Sequence, residues 1–353
     1  MSASEQLLSR LGFSHPIIQA PMAGTATPEL AAAVSNAGAL GSLGIGGSTV
    51  AQARQMIQDT YALTNKPINV NVFCHTPAAP DPKRDAAWVN YLTPLFAEMD
   101  LPLPKALSEI YRSFLQGDEA FDMLMEQRPA VVSFHFGLPA ADRVQALRQA
   151  GIYTLACATN LHEAALIEQA GVDAIVAQGI EAGGHRGMFN PEAIDERLST
   201  AVLVRLLVRR TQLPIIAAGG IMDGAGIKAM LDLGAAAAQL GTAFVVCPES
   251  AANDGYRANL QSARAASTRL TSVLSGRPAR GLLNRYIAYG EADGSPSPAA
   301  YPYAYDAAKQ LIAAATKRGN HEFAAHWAGQ GAPLARALPA AELVATLAAE
   351  LAK

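Results

Sequence analysis

The sequence predicts a (β/α)8 barrel, the TIM-barrel form of the α/β class, on three observations. Short apolar runs alternate with helix-period segments along most of the chain, which is the βαβ signature. The runs carry apolar residues on both parities, as in Ile215-Ile216-Ala217-Ala218, so both faces are buried as a parallel sheet requires. Eight such runs fall within about 240 residues, the usual extent of this barrel. They are 17–20, 39–43, 68–72, 131–136, 153–158, 174–177, 214–218 and 237–240. Helical stretches lie near 28–37, 50–62, 140–150, 162–170, 198–210 and 223–233. A doubly wound open sheet is the runner-up, but it requires a phosphate loop after the first strand. Pro21-Met22-Ala23-Gly24 stands there instead, and the nearby Gly41-Ser42-Leu43-Gly44-Ile45-Gly46-Gly47 does not fit GxGxxG in register.

Two departures from a minimal barrel are visible. An inserted segment after strand 3, roughly 73–130, contains Trp88, Tyr111 and Phe114. A C-terminal helical extension follows the eighth strand and ends in an amphipathic helix at 339–351, which can pack on its own barrel or on a neighbour. The expected organisation is therefore a cofactor-binding barrel over 1–250 with a helical substrate-pocket region over 251–353. Segments that leave the C-terminal ends of barrel strands sit over the active-site face, so both can cover a pocket.

Composition narrows the function classes. Half of the 353 residues are hydrophobic and 16% are charged, which suits a large buried core and argues against disorder. A net charge of −3 leaves no electrostatic footprint for nucleic acid or an anionic membrane. The three cysteines, Cys74, Cys157 and Cys247, have no CxxC or Cys/His ligand spacing, so neither a disulfide framework nor a metal site is indicated. The N-terminus lacks the basic start and apolar run of a signal peptide, and the weakly polar run 233–247 is too short to span a bilayer. A soluble cytoplasmic protein, monomer or homodimer, is expected.

The chemistry concentrates at predicted strand ends. Gln178-Gly179 leads into Glu181-Ala182-Gly183-Gly184-His185-Arg186-Gly187, where glycines let the backbone approach a planar ligand and the imidazole points into the site. A flexible loop with a solvent-facing histidine is the bland alternative. The seventh and eighth strands end in Ala218-Gly219-Gly220-Ile221 and Gln239-Leu240-Gly241-Thr242, where barrels commonly hold a phosphate on backbone N–H groups. No Walker lysine accompanies them. Strand alternation puts Ser133 and His135 on one face and Phe134 and Phe136 on the other, so His135 can converge on His185 or be an ordinary core histidine. Asn69 and Asn71 share a face, and Gln19 and Gln178 add amides at the same end. Such amides, glycines and a phosphate cradle, without carboxylate pairs or metal ligands, describe a flavin mononucleotide (FMN) site, with Pro21 and Met22 as its apolar floor. In Tyr301-Pro302-Tyr303-Ala304-Tyr305-Asp306-Ala307-Ala308-Lys309, Lys309 falls one helical turn after Tyr305, which suits an anion pocket or an interdomain packing stripe equally. His15, His75 and His162 look like loop or helix-surface residues. His321 and His326 lack a third metal ligand.

These residues together resemble the class I bacterial nitronate monooxygenases, formerly called 2-nitropropane dioxygenases. The likeness runs through Gln19-Ala20-Pro21-Met22, Asn69-Val70-Asn71-Val72-Phe73, Ser133-Phe134-His135-Phe136-Gly137 and the Gln178-to-Gly187 block. It continues through Ala218-Gly219-Gly220-Ile221-Met222-Asp223, Gln239-Leu240-Gly241-Thr242-Ala243-Phe244, Tyr301-Pro302-Tyr303 and Gly319-Asn320-His321, nearly the whole chain. Ala39 departs from it, standing where the family often has glycine. The resemblance implies FMN without metal, and oxidation of small anionic alkyl nitronates such as propionate 3-nitronate by O2 to a carbonyl compound plus nitrite or nitrate. It makes His185 catalytic and puts Tyr111, His135, Tyr301, Tyr305 and Lys309 around the substrate. It gives FMN the residues Pro21, Met22, Asn71, Gln178, Gly183, Gly184, Gly219, Gly220, Gln239, Leu240, Gly241 and Thr242. The alternatives are an NADH-dependent FMN quinone or enoyl-thioester reductase, and a non-catalytic FMN- or phosphate-binding module.

Overall fold

The computed structural model describes residues 2–353. Its eight-stranded sheet comprises β1 (Ile17–Gln19), β2 (Gly41–Gly44), β3 (Ile68–Phe73), β4 (Val131–His135), β5 (Tyr153–Ala158), β6 (Ala174–Gln178), β8 (Ile215–Ala218) and β9 (Ala237–Leu240). A two-residue strand, β7 (Gly184–His185), leaves the barrel after β6. All barrel pairs are parallel, in the order β1-β9-β8-β6-β5-β4-β3-β2. A parallel bridge from Ile18 to Leu40 joins the two ends of that order and closes the cylinder. The doubly wound alternative is thereby excluded.

Alternation along each strand sorts the core into two shells. Outward residues such as Val70, Phe134, Ile175 and Ala217 pack under the surrounding helices. Inward residues Ile18, Leu40, Val131, Leu155, Val176 and Ile216 fill the lower barrel, which Leu7 and Phe13 plug from below. Helices begin where a capping side chain follows a strand end. Thr27 accepts from Leu30 N with Pro28 beside it, Thr49 forms a capping box with Gln52, and Asn160 and Asp223 cap the helices Leu161–Gln169 and Gly224–Asp232. Each fully buried Leu, Ile or Val on these helices contributes roughly 1.5–3 kcal/mol.

The C-terminal amphipathic helix, Ala340–Leu351, packs on its own barrel. Ala340, Leu343, Val344 and Leu347 are fully buried in the same shell as Leu30, Val34 and Ile227. Glu350 accepts from Gly224 N at 2.9 Å and Ala340 N donates to Glu249, so this helix fills the ring position after β9. Between β9 and that helix the chain makes a long excursion. There the antiparallel strands β10 (Thr268–Thr271) and β11 (Ala279–Leu282) form a three-stranded sheet with β7. Helix Tyr303–Lys317 of the excursion shares a second core with Trp88, Leu92, Leu95 and Phe96 from the segment after β3. A two-pronged ion pair from Arg285, also in the excursion, to Glu98 ties the excursion to that segment at 2.6 Å. Both additions thus meet over the C-terminal mouth of the barrel.

Candidate active site

Near the mouth the inward residues turn polar. Asn71 donates to Ser133 Oγ at 2.9 Å and to its carbonyl at 3.1 Å, bracing β3 against β4. Asn71, Gln178 and Gln239 reach a cleft whose floor is Ala20, Pro21 and Met22. Gln19 does not reach it: fully buried, it accepts from Ser42 N at 2.8 Å and donates to Ala20 O. Gly219, Gly220, Gly241 and Thr242 line the far end of the cleft, while the Leu240 side chain points away into the outer core. Gly183 and Gly184 form the near wall. A Cβ on Gly183 would lie 2.5 Å from Gly329 N, so only glycine permits that approach of the two loops.

The histidine loop is rigidly built. Arg186 is 1% exposed and grips Asp195 with two bonds of 2.8 and 2.9 Å, while its Nη1 donates to Gln178 O at 2.7 Å. The Gln178 amide donates to His185 O at 2.9 Å and accepts from Gly187 N at 2.8 Å. His135 Nε2 also reaches His185 O, at 3.2 Å. Pairing of β7 with β11 holds His185 opposite Ala279. The flexible-loop alternative fails against this network.

Around His185 stand aromatic rings. Trp327, Phe136, Tyr301 and Tyr305 have centroids 5.1, 5.6, 5.6 and 6.3 Å from the imidazole. Tyr111 sits 5.7 Å from Tyr305. Tyr301 packs from behind and leaves its hydroxyl unpartnered, whereas Tyr111, His135 and Tyr305 face the cleft. Lys309 lies farther out, in an adjoining chamber, its ammonium 4.6 Å from the Tyr111 ring centroid and 5.3 Å from that of Tyr305. The structure therefore brings His135, Tyr111 and Tyr305 to His185 and sets Lys309 at the entrance.

Two further expectations are corrected. Phe136 does not turn to the opposite face from His135: its φ of +74° breaks the strand alternation and brings its ring to 5.6 Å from His185. His75 is not a surface residue but is fully buried between Tyr301 and Phe136, at ring distances of 5.0 and 6.3 Å.

Among the described residues no carboxylate lines the cleft, and burial sets its electrostatics. Burial lowers His185 to about 3, with His135 and Arg277 adding to the effect. Burial likewise brings His135 to about 4, against the pull of its bond to the His185 carbonyl. Both rings are neutral at pH 7. The positive charge comes instead from Arg277, 3% exposed, whose guanidinium lies over the Phe136 ring, 4.2 Å from its centroid. Among the described residues its guanidinium forms no ion pair and donates only to the carbonyls of Met188 and Phe189, while the Glu163 carboxylate partly offsets the lowering of its pKa by burial. A buried, unpaired guanidinium one ring away favours negative charge in the cleft.

Comparison with known proteins identifies the lineage. The family model described as nitronate monooxygenase matches residues 4–350. The chain belongs to the nitronate monooxygenase family. It is 59% identical to a nitronate monooxygenase of Pseudomonas aeruginosa over 341 residues, 97% of each chain. A nitronate monooxygenase of Paraburkholderia phytofirmans is 57% identical, over 98% of this chain and 94% of that one. Among solved structures, a nitroalkane oxidase from Streptomyces ansochromogenes superposes with a TM-score of 0.90 at 39% identity, covering 99% and 98% of the two chains. FabK from Thermotoga maritima is more distant, with a TM-score of 0.75 at 28% identity over 98% and 96%.

In this member of the nitronate monooxygenase family, sequence reasoning missed Phe136, Trp327, Ser275 and Arg277. The last two lie in Ser275-Gly276-Arg277-Pro278, a turn-forming run whose glycine and proline signalled a loop but not its address. Among the described residues no group of three or more His, Cys, Asp or Glu can hold a metal. His326 instead stacks on Tyr256 at 4.4 Å. Among the described residues all three cysteines are buried and free, and no helix is long and apolar enough to cross a membrane.

Proposed function

We propose that this protein is an FMN-dependent monooxygenase that oxidises small alkyl nitronates, propionate 3-nitronate being the type substrate, with O2 to a carbonyl compound plus nitrite or nitrate. The observation that carries the reading is the cleft itself: a neutral, aromatic-caged His185 at one end, a glycine-lined cradle at the other, and no carboxylate between. Gly241 supports the fit of FMN to the cradle. Its φ of −106° is open to any residue, and a Cβ there would meet nothing closer than Ala20 Cβ at 3.4 Å. Neither conformation nor packing requires glycine, so the space it keeps clear suits a ligand. Gly219, Gly220, Gly241 and Thr242 would hold the phosphate, while Asn71, Gln178 and Gln239 would meet the ring system over Pro21 and Met22, with Gly183 and Gly184 alongside. The bound flavin supplies the electron acceptor and the reaction with O2.

The protein's own residues do the rest. A nitronate carries its charge on two oxygens, so Lys309 at the entrance draws it in and Arg277 behind Phe136 favours it at the centre. The cage of Phe136, Tyr305 and Trp327 excludes water and holds the carbon in place. A nitronate has already lost its proton, so no strong base is needed for it; a neutral nitroalkane would give its α-proton to His185.

The test is anaerobic mixing of the FMN-loaded protein with propionate 3-nitronate or NADH, read at the flavin absorbance. The nitronate should bleach the flavin and NADH should leave it oxidised. Rapid bleaching by NADH would favour the enoyl-thioester or quinone reductase reading, and no response to either would leave only a binding module.

A further inference from the structure

We propose that Ser275 is a positioning residue that fixes the tautomer of His185, keeping the proton on Nε2 and presenting the Nδ1 lone pair to the cleft. Ser275 is fully buried, with its Oγ 2.8 Å from His185 Nε2, 3.1 Å from the Arg277 carbonyl and 3.4 Å from the Arg277 N–H. A hydroxyl has one proton to give and two lone pairs to offer. Among the described residues the Arg277 carbonyl takes no other hydrogen bond, so giving it the Ser275 proton satisfies that carbonyl. The lone pairs then accept from Nε2–H and from Arg277 N–H. The reverse arrangement, Ser275 donating to a bare Nε2, strands the carbonyl. Among the described residues Nδ1 has no protein partner, and it is not sealed from solvent, in a residue that lines the cleft.

The frame that holds Ser275 is rigid. It sits in the connection from β10 to β11, and β11 pairs with the strand that carries His185. The next residue, Gly276, has φ +84° and a Cβ there would lie 2.2 Å from Ala299 O, so the turn is pressed against the chain leading to Tyr301. The groups facing the imidazole are His135, Phe136, Tyr301, Tyr305 and Trp327, with Arg277 and His75 behind Phe136 and no carboxylate among them. The usual carboxylate or carbonyl that orients a histidine is replaced here by a hydroxyl relaying to a carbonyl.

The consequence separates two substrates of one site. With a neutral nitroalkane, the α C–H bond breaks, its electron pair stays on the substrate as the nitronate, and the proton moves to Nδ1. The imidazolium formed still donates from Nε2 to Ser275. With a nitronate there is no proton to move. This kinetic consequence rests on the proposed function; the hydrogen-bond arrangement does not.

The experiment combines 15N NMR of histidine-labelled protein with kinetics of Ser275→Ala on nitroethane and on ethyl nitronate. Wild-type His185 should show a protonated Nε2 and an unprotonated Nδ1. The variant should lose about 10- to 100-fold in kcat/KM for nitroethane, keep its rate on ethyl nitronate, and show a mixed tautomer. A wild-type Nδ1–H tautomer, or equal losses on both substrates, would overturn the proposal. Wild-type protein that oxidises neither substrate yet shows the Nε2–H tautomer would defeat the nitronate reading and leave this one standing.

Discussion

Gly241 and Arg277 show how single residues decide what the cleft accepts. Because Gly241 has an ordinary φ and open surroundings, Gly241→Ala should leave the flavin-free fold untouched. The added methyl points into the space assigned to the FMN phosphate, and FMN binding should weaken about tenfold, or roughly 1.4 kcal/mol. A fluorescence titration with FMN, beside the melting temperature of the flavin-free protein, checks both halves; unchanged affinity would remove the cradle from the cofactor site. Arg277 acts at longer range. Its charge is buried without an ion pair among the described residues and, together with burial, helps to keep His185 and His135 neutral. With both histidines neutral, the positive charge that favours an anion in the cleft comes from Arg277 and Lys309. Motif reading found the histidines because they sit at strand ends among glycines. It could not find Arg277, since nothing near Leu274-Ser275-Gly276-Arg277 shows that its loop returns to Phe136, far away in sequence.

At the scale of elements, period and parity revealed the barrel strands and their order of appearance, because a strand buried on both faces leaves a distinctive apolar run. What stayed hidden was long-range docking. Helix Ala340–Leu351 announces its apolar face in sequence, yet only the fold shows that the face fills the gap between helices Pro28–Asn36 and Gly224–Asp232. A helix on that seam should belong to the barrel's cooperative unit. Leu347 is fully buried there, so Leu347→Ala should cost about 2–5 kcal/mol through lost transfer energy and an unfilled cavity. Urea unfolding of the variant measures it, and a loss below about 0.5 kcal/mol would mean that the helix frays independently of the barrel. Phe136 was misjudged for a local reason. Alternation assumes extended backbone, and the left-handed φ at Phe136 ends that assumption one residue after His135.

For the whole molecule, burial of the histidines links to stability through proton uptake. Burial holds His75, His135 and His326 near 4 and His185 near 3, each below the ordinary histidine value of 6.5. The folded protein keeps these four rings neutral, while the unfolded chain protonates them as pH falls through about 6.5. Stability is then full above that pH and declines from about 6.5 toward 4, where the folded rings begin to titrate. Each histidine that is protonated only when unfolded contributes a slope of about 1.4 kcal/mol per pH unit, so four give a slope near 5. Carboxylates lowered by their partners, such as Glu98 and Glu350, act in the same direction only below about pH 4.5, leaving the interval from 6.5 to 5 to the histidines. Urea unfolding at half-unit steps from pH 7.5 to 5, with the flavin content held constant, should show a plateau and then this decline. His326 stacks on Tyr256, and His326→Asn should reduce the slope by about one proton. Equal stability at pH 7 and pH 5 would mean that the four rings take up protons in the folded state, and the cleft would then carry its positive charge on the histidines after all.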